Sequence, residues 1–115
     1  MIKASAKLYV LILNKHTLEH DIVSLSKSSL SIPSVNLTSE NSLQDSLSIL
    51  FESCVDLSAA YAKYKLYDAE IINETLILSY MCLLPFSTTI KNSHLMPAKQ
   101  YANYSPNLQK IISLL

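Results

Sequence analysis

A chain of 115 residues, half of them hydrophobic, can bury one core without disulfide or metal staples, and it reads as a single domain over 1–115. Its nine cations are all Lys and are matched by nine acids, so the formal net charge is zero and nothing drives binding to a phosphate backbone. The absence of Gly and Arg excludes a P-loop, a GxGxxG dinucleotide fingerprint and bidentate guanidinium forks.

No apolar run reaches the roughly 18 residues that span a membrane. The start, MIKASAKLYVLILNK, has a Lys and then an apolar run from Leu8 to Leu13. Lys15 and His16 follow where a signal peptide would have a small-residue cleavage site, so the run reads as a strand of a soluble, intracellular protein. A chain without Gly or Arg and rich in Lys, Asn, Ile, Tyr and Ser has the composition of an AT-rich coding genome: a phage, virus, organelle or reduced bacterium. Cys54 and Cys82 lack CxxC spacing and read as buried thiols, with a disulfide or reactive pair as the alternative. Asn36-Leu37-Thr38 and Asn73-Glu74-Thr75 match the glycosylation acceptor and, without a secretory signal, read as chance.

Residues 3–13 end in LYVLIL and predict a strand, buried on both faces towards its end. Asn14 to Asp21 is polar and reads as a turn, Ile22 to Leu25 as a second strand, and Ser26 to Ser29 as a break. Leu30 to Ile32 predicts a short strand ending at Pro33, and Val35 to Ser39 a loop. With no Gly, Asn14 or Asn36 is expected to supply any positive φ these turns need. Ser42-x-x-Asp45 resembles a capping box, with Asn41 or Ser42 as N-cap. Leu43, Leu47, Leu50 and Cys54 then share one helical face, which Ile49 and Phe51 widen, with Gln44, Asp45, Ser48 and Glu52 opposite. Ser58 to Lys63 is a connection with room for a helical turn. Tyr64–Ile72 and Thr75–Leu84 predict a long hairpin around Asn73-Glu74. Phe86 to Asn92 reads as loop or a short strand, and His94 to Pro97 as extended. Ser105-Pro106 starts a C-terminal helix whose face is Leu108, Ile111, Ile112 and Leu115.

Three constellations could carry chemistry. Glu40, Asp45, Glu52 and Asp56 lie on or beside the first helix, and clustered carboxylates can hold a hard divalent cation such as magnesium. Asp45 and Glu52 are seven positions apart, a spacing that fits a solvated helix face better. His16 and His20 flank Glu19 and precede Asp21; on a helix they could ligate zinc, but the segment reads as a turn and His94 is distant. The tyrosines form two groups, Tyr61, Tyr64, Tyr67 and Tyr101, Tyr104. Packing or a protein-binding surface suits them better than base stacking, which lacks the basic charge it needs.

The order strand, hairpin, loop, helix, long hairpin and Ser-Pro final helix is similar to the Nudix fold. The resemblance centres on the Nudix box, G-x5-E-x7-R-E-U-x-E-E-x-G-U, with U aliphatic. Setting Glu40 on its first Glu places Pro33-Ser34 on Pro-Gly, Leu50 on the aliphatic position and Glu52 on the first Glu of the pair. TLILSYM resembles the family's next strand, and HLMPAKQYANYSPNLQKII its C-terminal loop and helix. Ser34 then stands for Gly, Ser48 for Arg, Ile49 for Glu, Ser53 for the second Glu and Val55 for Gly.

The resemblance implies an α/β fold with a mixed β-sheet sandwiched between helices. It also implies that Glu40 and Glu52 are vestiges of a box without catalytic residues, with no metal cofactor. The expected function is a non-catalytic domain that binds a protein partner in an assembly, with no nucleic acid drawn by direct charge attraction and no membrane as its target. The alternatives are a divergent magnesium-dependent hydrolase of nucleoside-diphosphate-linked substrates using Glu40, Asp45 and Glu52, and a nucleotide-sensing domain without catalysis.

Overall fold

The computed structural model describes residues 3–85 and 88–115, so Phe86, Ser87 and the first two residues lie outside it. The elements are β1 (Lys3–Leu13), β2 (His20–Ser24), β3 (Ser34–Asn36), α1 (Leu43–Cys54), a 3-10 turn (Ala59–Tyr61), β4 (Lys65–Ile72), β5 (Thr75–Leu84) and β6 (His94–Pro97). A short α2 (Ala98–Tyr101), a second 3-10 turn (Ala102–Tyr104) and α3 (Pro106–Ser113) complete the chain. The six strands form one mixed sheet in the order β4-β5-β1-β2-β6, with β3 also beside β1.

The apolar run of β1 places it at the centre. Leu8, Val10, Leu11 and Ile12 are buried on both faces, and β1 pairs in parallel with β5 from Lys3↔Thr75 to Ile12↔Leu84. Alternation sends Leu8, Val10 and Ile12 to one face, where they meet Phe51 and Cys54 of α1. Tyr9 and Leu11 point the other way, to Ala98 of α2 and Leu108 and Ile111 of α3. The sheet is thus sandwiched between helices. The other edge of β1 is shared: β2 pairs with Leu11–Leu13 and β3 with Ser5–Lys7.

The short strand beside β1 follows Pro33 and does not precede it. The Pro33 carbonyl accepts from Leu8 N–H at 2.9 Å, and pairing then runs through Ser34–Asn36. Proline's missing donor is not needed on that side. Leu30 and Ile32, expected in a strand, instead turn their side chains into the α3-side core. Buried Ser24 organises the segment between. Its hydroxyl lies 2.8 Å from the Ser26 carbonyl and accepts from Ser31 N–H at 2.9 Å. The second strand begins earlier than expected, at His20, and leaves Leu25 46% exposed.

Positive φ falls at Leu18, Asn73, Glu74 and Asn92, and not at Asn14 or Asn36. Asn14 serves the first turn through its side chain, whose oxygen accepts from His16 N–H at 2.9 Å, and Asn36 is a strand residue. The pair Asn73 (φ 50°) and Glu74 (φ 63°) makes the two-residue hairpin turn that suits the strand twist. Glu74 carries a Cβ in a region that costs an L-residue about 1–2 kcal/mol. Glu74→Gly is therefore expected to stabilise the protein by about 0.5–1 kcal/mol net of the added chain entropy. An upward shift of the urea midpoint at constant slope would show it.

Ser42 is the N-cap of α1; its hydroxyl accepts from Asp45 N–H at 3.0 Å. Leu47, Phe51 and Cys54 are buried, but Ile49 is 61% exposed and does not belong to the apolar face. It stands two positions, about 200°, from both Leu47 and Phe51. Ser105 caps α3 as expected, accepting from Leu108 N–H at 3.2 Å, with Pro106 in the first turn. Leu115 lies beyond the end of α3 and is 45% exposed.

Candidate functional site

The C-terminal end of α1 is where the box resemblance concentrates. With no glycine to close it, the helix ends at Val55 in extended conformation (φ −126°). Val55 then bridges Ile90, and the Cys54 carbonyl accepts from Lys91 N–H and from the Ser93 hydroxyl, both at 3.0 Å. A distant segment thereby satisfies a helix-end acceptor that a glycine cap would otherwise serve. Neither box glycine position, Ser34 or Val55, has positive φ. Ser34 and Val55 therefore occupy these positions without backbone strain.

Glu52 points back along the chain. One carboxylate oxygen accepts from Ala59 N–H at 2.7 Å, which caps the 3-10 turn together with the Ser58 hydroxyl on Ala60 N–H. The hydroxyl of Ser53 is turned onto its own helix, donating to the Leu50 carbonyl at 2.6 Å. Ser48 lies beside the Tyr64 hydroxyl, which is buried without a hydrogen-bond partner in good geometry. Burial pushes the Tyr64 hydroxyl above its usual pKa, with Ser48 opposing. Glu52, Asp56 and Lys91 share an open hollow of about 380 Å³.

Of the four acids singled out in the sequence, the structure brings Glu52 and Asp56 together and leaves Glu40 and Asp45 elsewhere. Glu40 is exposed before the helix, and Asp45 is in its first turn, about 10 Å from Glu52 along the axis. Among the described residues no three His, Cys, Asp or Glu side chains are grouped as metal ligands. The residues present do not fit the magnesium that an intact box would hold. A hard divalent cation needs several oxygen ligands, whereas here Glu40 lies apart from the helix end and Glu52 is bonded to a backbone amide beside Ile49 and Ser53. A structural role for Glu52 has a testable signature. Glu52→Ala is expected to cost about 1 kcal/mol, and Glu52→Gln, whose amide oxygen can still accept from Ala59, much less. Equal losses in thermal melts would contradict it.

The histidines stay apart. His16 is exposed in the first turn, His20 lies opposite Leu13 and His94 opposite Ser24, at the two ends of the β2 pairing. Asp21 accepts from Asn14 at 3.1 Å, and Glu19 pairs with Lys99 at 3.6 Å. The tyrosines divide by role. Tyr64 meets Phe51 edge-on at 6.2 Å and Tyr67 meets Tyr9 at 5.5 Å, while Tyr61 is 74% exposed. The side chain of Tyr104 lies outside what the structure describes.

A larger cavity, about 860 Å³, lies on the opposite face of the sheet between β1, β3 and the α2–α3 segment. Lys7, Tyr9, Ser34, Gln100, Tyr101 and Ser105 line it. Near its floor, Tyr67 packs on Tyr9, and the Tyr67 and Ser79 hydroxyls are buried beside each other without a hydrogen bond in good geometry. Sequence reasoning did not assemble this site. Its one local signal is Lys7, a charge at the start of the apolar run of β1, and Gln100, Tyr101 and Ser105 reach it from more than 90 positions away.

No protein-family profile and no curated protein matches the sequence. Solved structures do match. A MutT/nudix family protein from Listeria innocua superposes with a TM-score of 0.72 at 9% identity, over 97% of this chain and 92% of that one. A MutT/nudix family protein from Enterococcus faecalis gives 0.62 at 10% identity over 84% of this chain, which spans 44% of its length. The C-terminal domain of mouse MUTYH, solved in complex with human PCNA, gives 0.61 at 17% identity, over 90% and 78%. At such identities a likeness speaks for architecture alone, and that architecture is a Nudix-like fold.

Proposed function

We propose that this chain is a non-catalytic Nudix-like domain that serves as a protein-binding or assembly subunit. The observation that carries the reading is the state of the box helix. Glu52, the acid near its C-terminal end, is used to cap a turn, and Ser48, Ile49 and Ser53 offer no further carboxylate. Catalysis by magnesium needs those ligands, while the cap and apolar face that hold the helix on the sheet are intact. Exposed apolar side chains, among them Ile49, Leu66 and Ile71, support a role in contacts with another protein. One structural neighbour, the MUTYH domain, was itself solved in a protein complex. The composition supports a source with an AT-rich genome, such as a phage, virus or organelle. The test is isolation of the tagged chain from its own source. A complex of fixed stoichiometry on size exclusion is expected, and an inert monomer would contradict the reading.

The 860 Å³ cavity favours a second reading, binding of a nucleotide without cleavage. A thermal shift with nucleotides that is indifferent to magnesium would support it, and no shift with any of them would rule it out.

A further inference from the structure

The free edge of the sheet carries an inference that rests on the protein-binding reading and names the partner's chemistry. β4 is the terminal strand, and among the described residues none of its backbone groups is hydrogen-bonded on the outer side. It runs 8 residues without Pro and exposes Leu66, Ile71 and Ile72. An edge of that kind is a template for another strand.

The register says what that strand must look like. The two-residue turn makes Ile72 and Thr75 a hydrogen-bonded pair, and alternation directs the backbone groups of Glu70 and Asp68 to β5 as well. Those of Ile71 and Ala69 therefore point outward, and the bulge between Leu66 and Asp68 adds Leu66 to the outward set, opposite Tyr80. Leu66, Ala69 and Ile71 share the sheet face on which α1 packs, and Asp68 and Glu70 share the other. Neither carboxylate is in an ion pair among the described residues.

A second copy of the chain is a poor occupant. Antiparallel alignment through the outward groups, Ala69 opposite Ala69, places Asp68 opposite Glu70 twice in the register that overlaps most. Like charges directly opposite destabilise a strand pair. We propose that β4 is the docking edge for an extended segment of a partner protein that carries Lys or Arg opposite Asp68 and Glu70 and apolar side chains on the α1 face.

The test uses the full chain and a fluorescent peptide of about nine residues alternating Lys and Val, with its Glu/Val counterpart as control. Because Ala69 N–H points outward, Ala69→Pro removes a donor to the incoming strand and leaves the β5 ladder intact. The Lys peptide is expected to bind about tenfold or more tightly than the Glu peptide at low salt, and Ala69→Pro to weaken it by about tenfold. The pair Asp68→Lys and Glu70→Lys is expected to reverse the preference, and it decides the matter alone if Ala69→Pro misfolds by circular dichroism. Equal binding of the two peptides, indifference to charge reversal, or a dimer formed through β4 would overturn the proposal. A natural partner bound indifferently to Ala69→Pro would sink only the docking edge, whereas an inert monomer would sink the protein-binding reading itself.

Discussion

Phe51→Ala is expected to lower the unfolding free energy by about 3–5 kcal/mol, a large part of the 5–15 kcal/mol typical of a domain. Phe51 is fully buried where α1 meets the sheet, among Leu8, Val10, Val23 and Cys82, with its ring edge-on to Tyr64. Truncation removes the aromatic contact and leaves a cavity that two packed layers cannot readily close. Ile49→Ala on the same helix is the internal control. Its side chain is 61% exposed, so the change is expected to stay within about 0.5 kcal/mol. Urea unfolding of both variants measures the contrast. Comparable losses would mean that α1 packs through a different face.

Stability is expected to fall as pH rises through the range from about 9 to 11. Burial pushes the Cys54 thiol from its ordinary 9.0 up to about 11, with the neighbouring Cys82 adding to the effect and Lys91 opposing it. Burial also raises Cys82, Tyr64 and Tyr67. Below pH 9 these groups keep their protons in both the folded and the unfolded chain, and stability is level. Above it the unfolded thiols ionise while Cys54 holds its proton, so each rise in pH favours the unfolded state until Cys54 itself ionises near pH 11. The Cys54 share is on the order of 1–2 kcal/mol after allowance for solvent screening. Urea midpoints across this range should decline, and Cys54→Ala should flatten the decline. A midpoint that rises with pH would refute the assignment.

What the sequence revealed depended on how local the signal was. The run in β1, the hairpin around Asn73-Glu74 and the caps Ser42 and Ser105 act within a few residues, and the structure has them where they were read. Pro33 misled because a proline usually ends a strand, yet its carbonyl is what begins the pairing with β1. Leu18 takes positive φ in a turn where an asparagine was available, because Asn14 is engaged through its side chain. α2 has no side-chain cap and is only 4 residues long, so nothing local announced it.

The site was legible in a narrower sense. Setting Pro33–Leu57 on the box drew attention to Glu52 and to Ser48, Ile49 and Ser53 beside it. It could not show that Glu52 bonds Ala59, because that bond depends on how the chain turns after the helix. Nor could it show that segment 89–93 closes the end of α1, a contact spanning 39 positions from Ser93 to Cys54. The large cavity joins β1 to α2 and α3, and no spacing in the sequence records that junction. Nor does the sequence record the register of β4, in particular the bulge that keeps Leu66, Ala69 and Ile71 on one face.

A box helix retained as scaffold is tested most directly by magnesium-dependent hydrolysis of a panel of nucleoside-diphosphate-linked compounds, with the wild-type chain and Glu52→Gln side by side. Phosphate release is expected to stay at the buffer background for both proteins, and added magnesium is expected to leave their melting temperatures unchanged. Turnover that magnesium supports and Glu52→Gln abolishes would contradict the account and make this helix an active site.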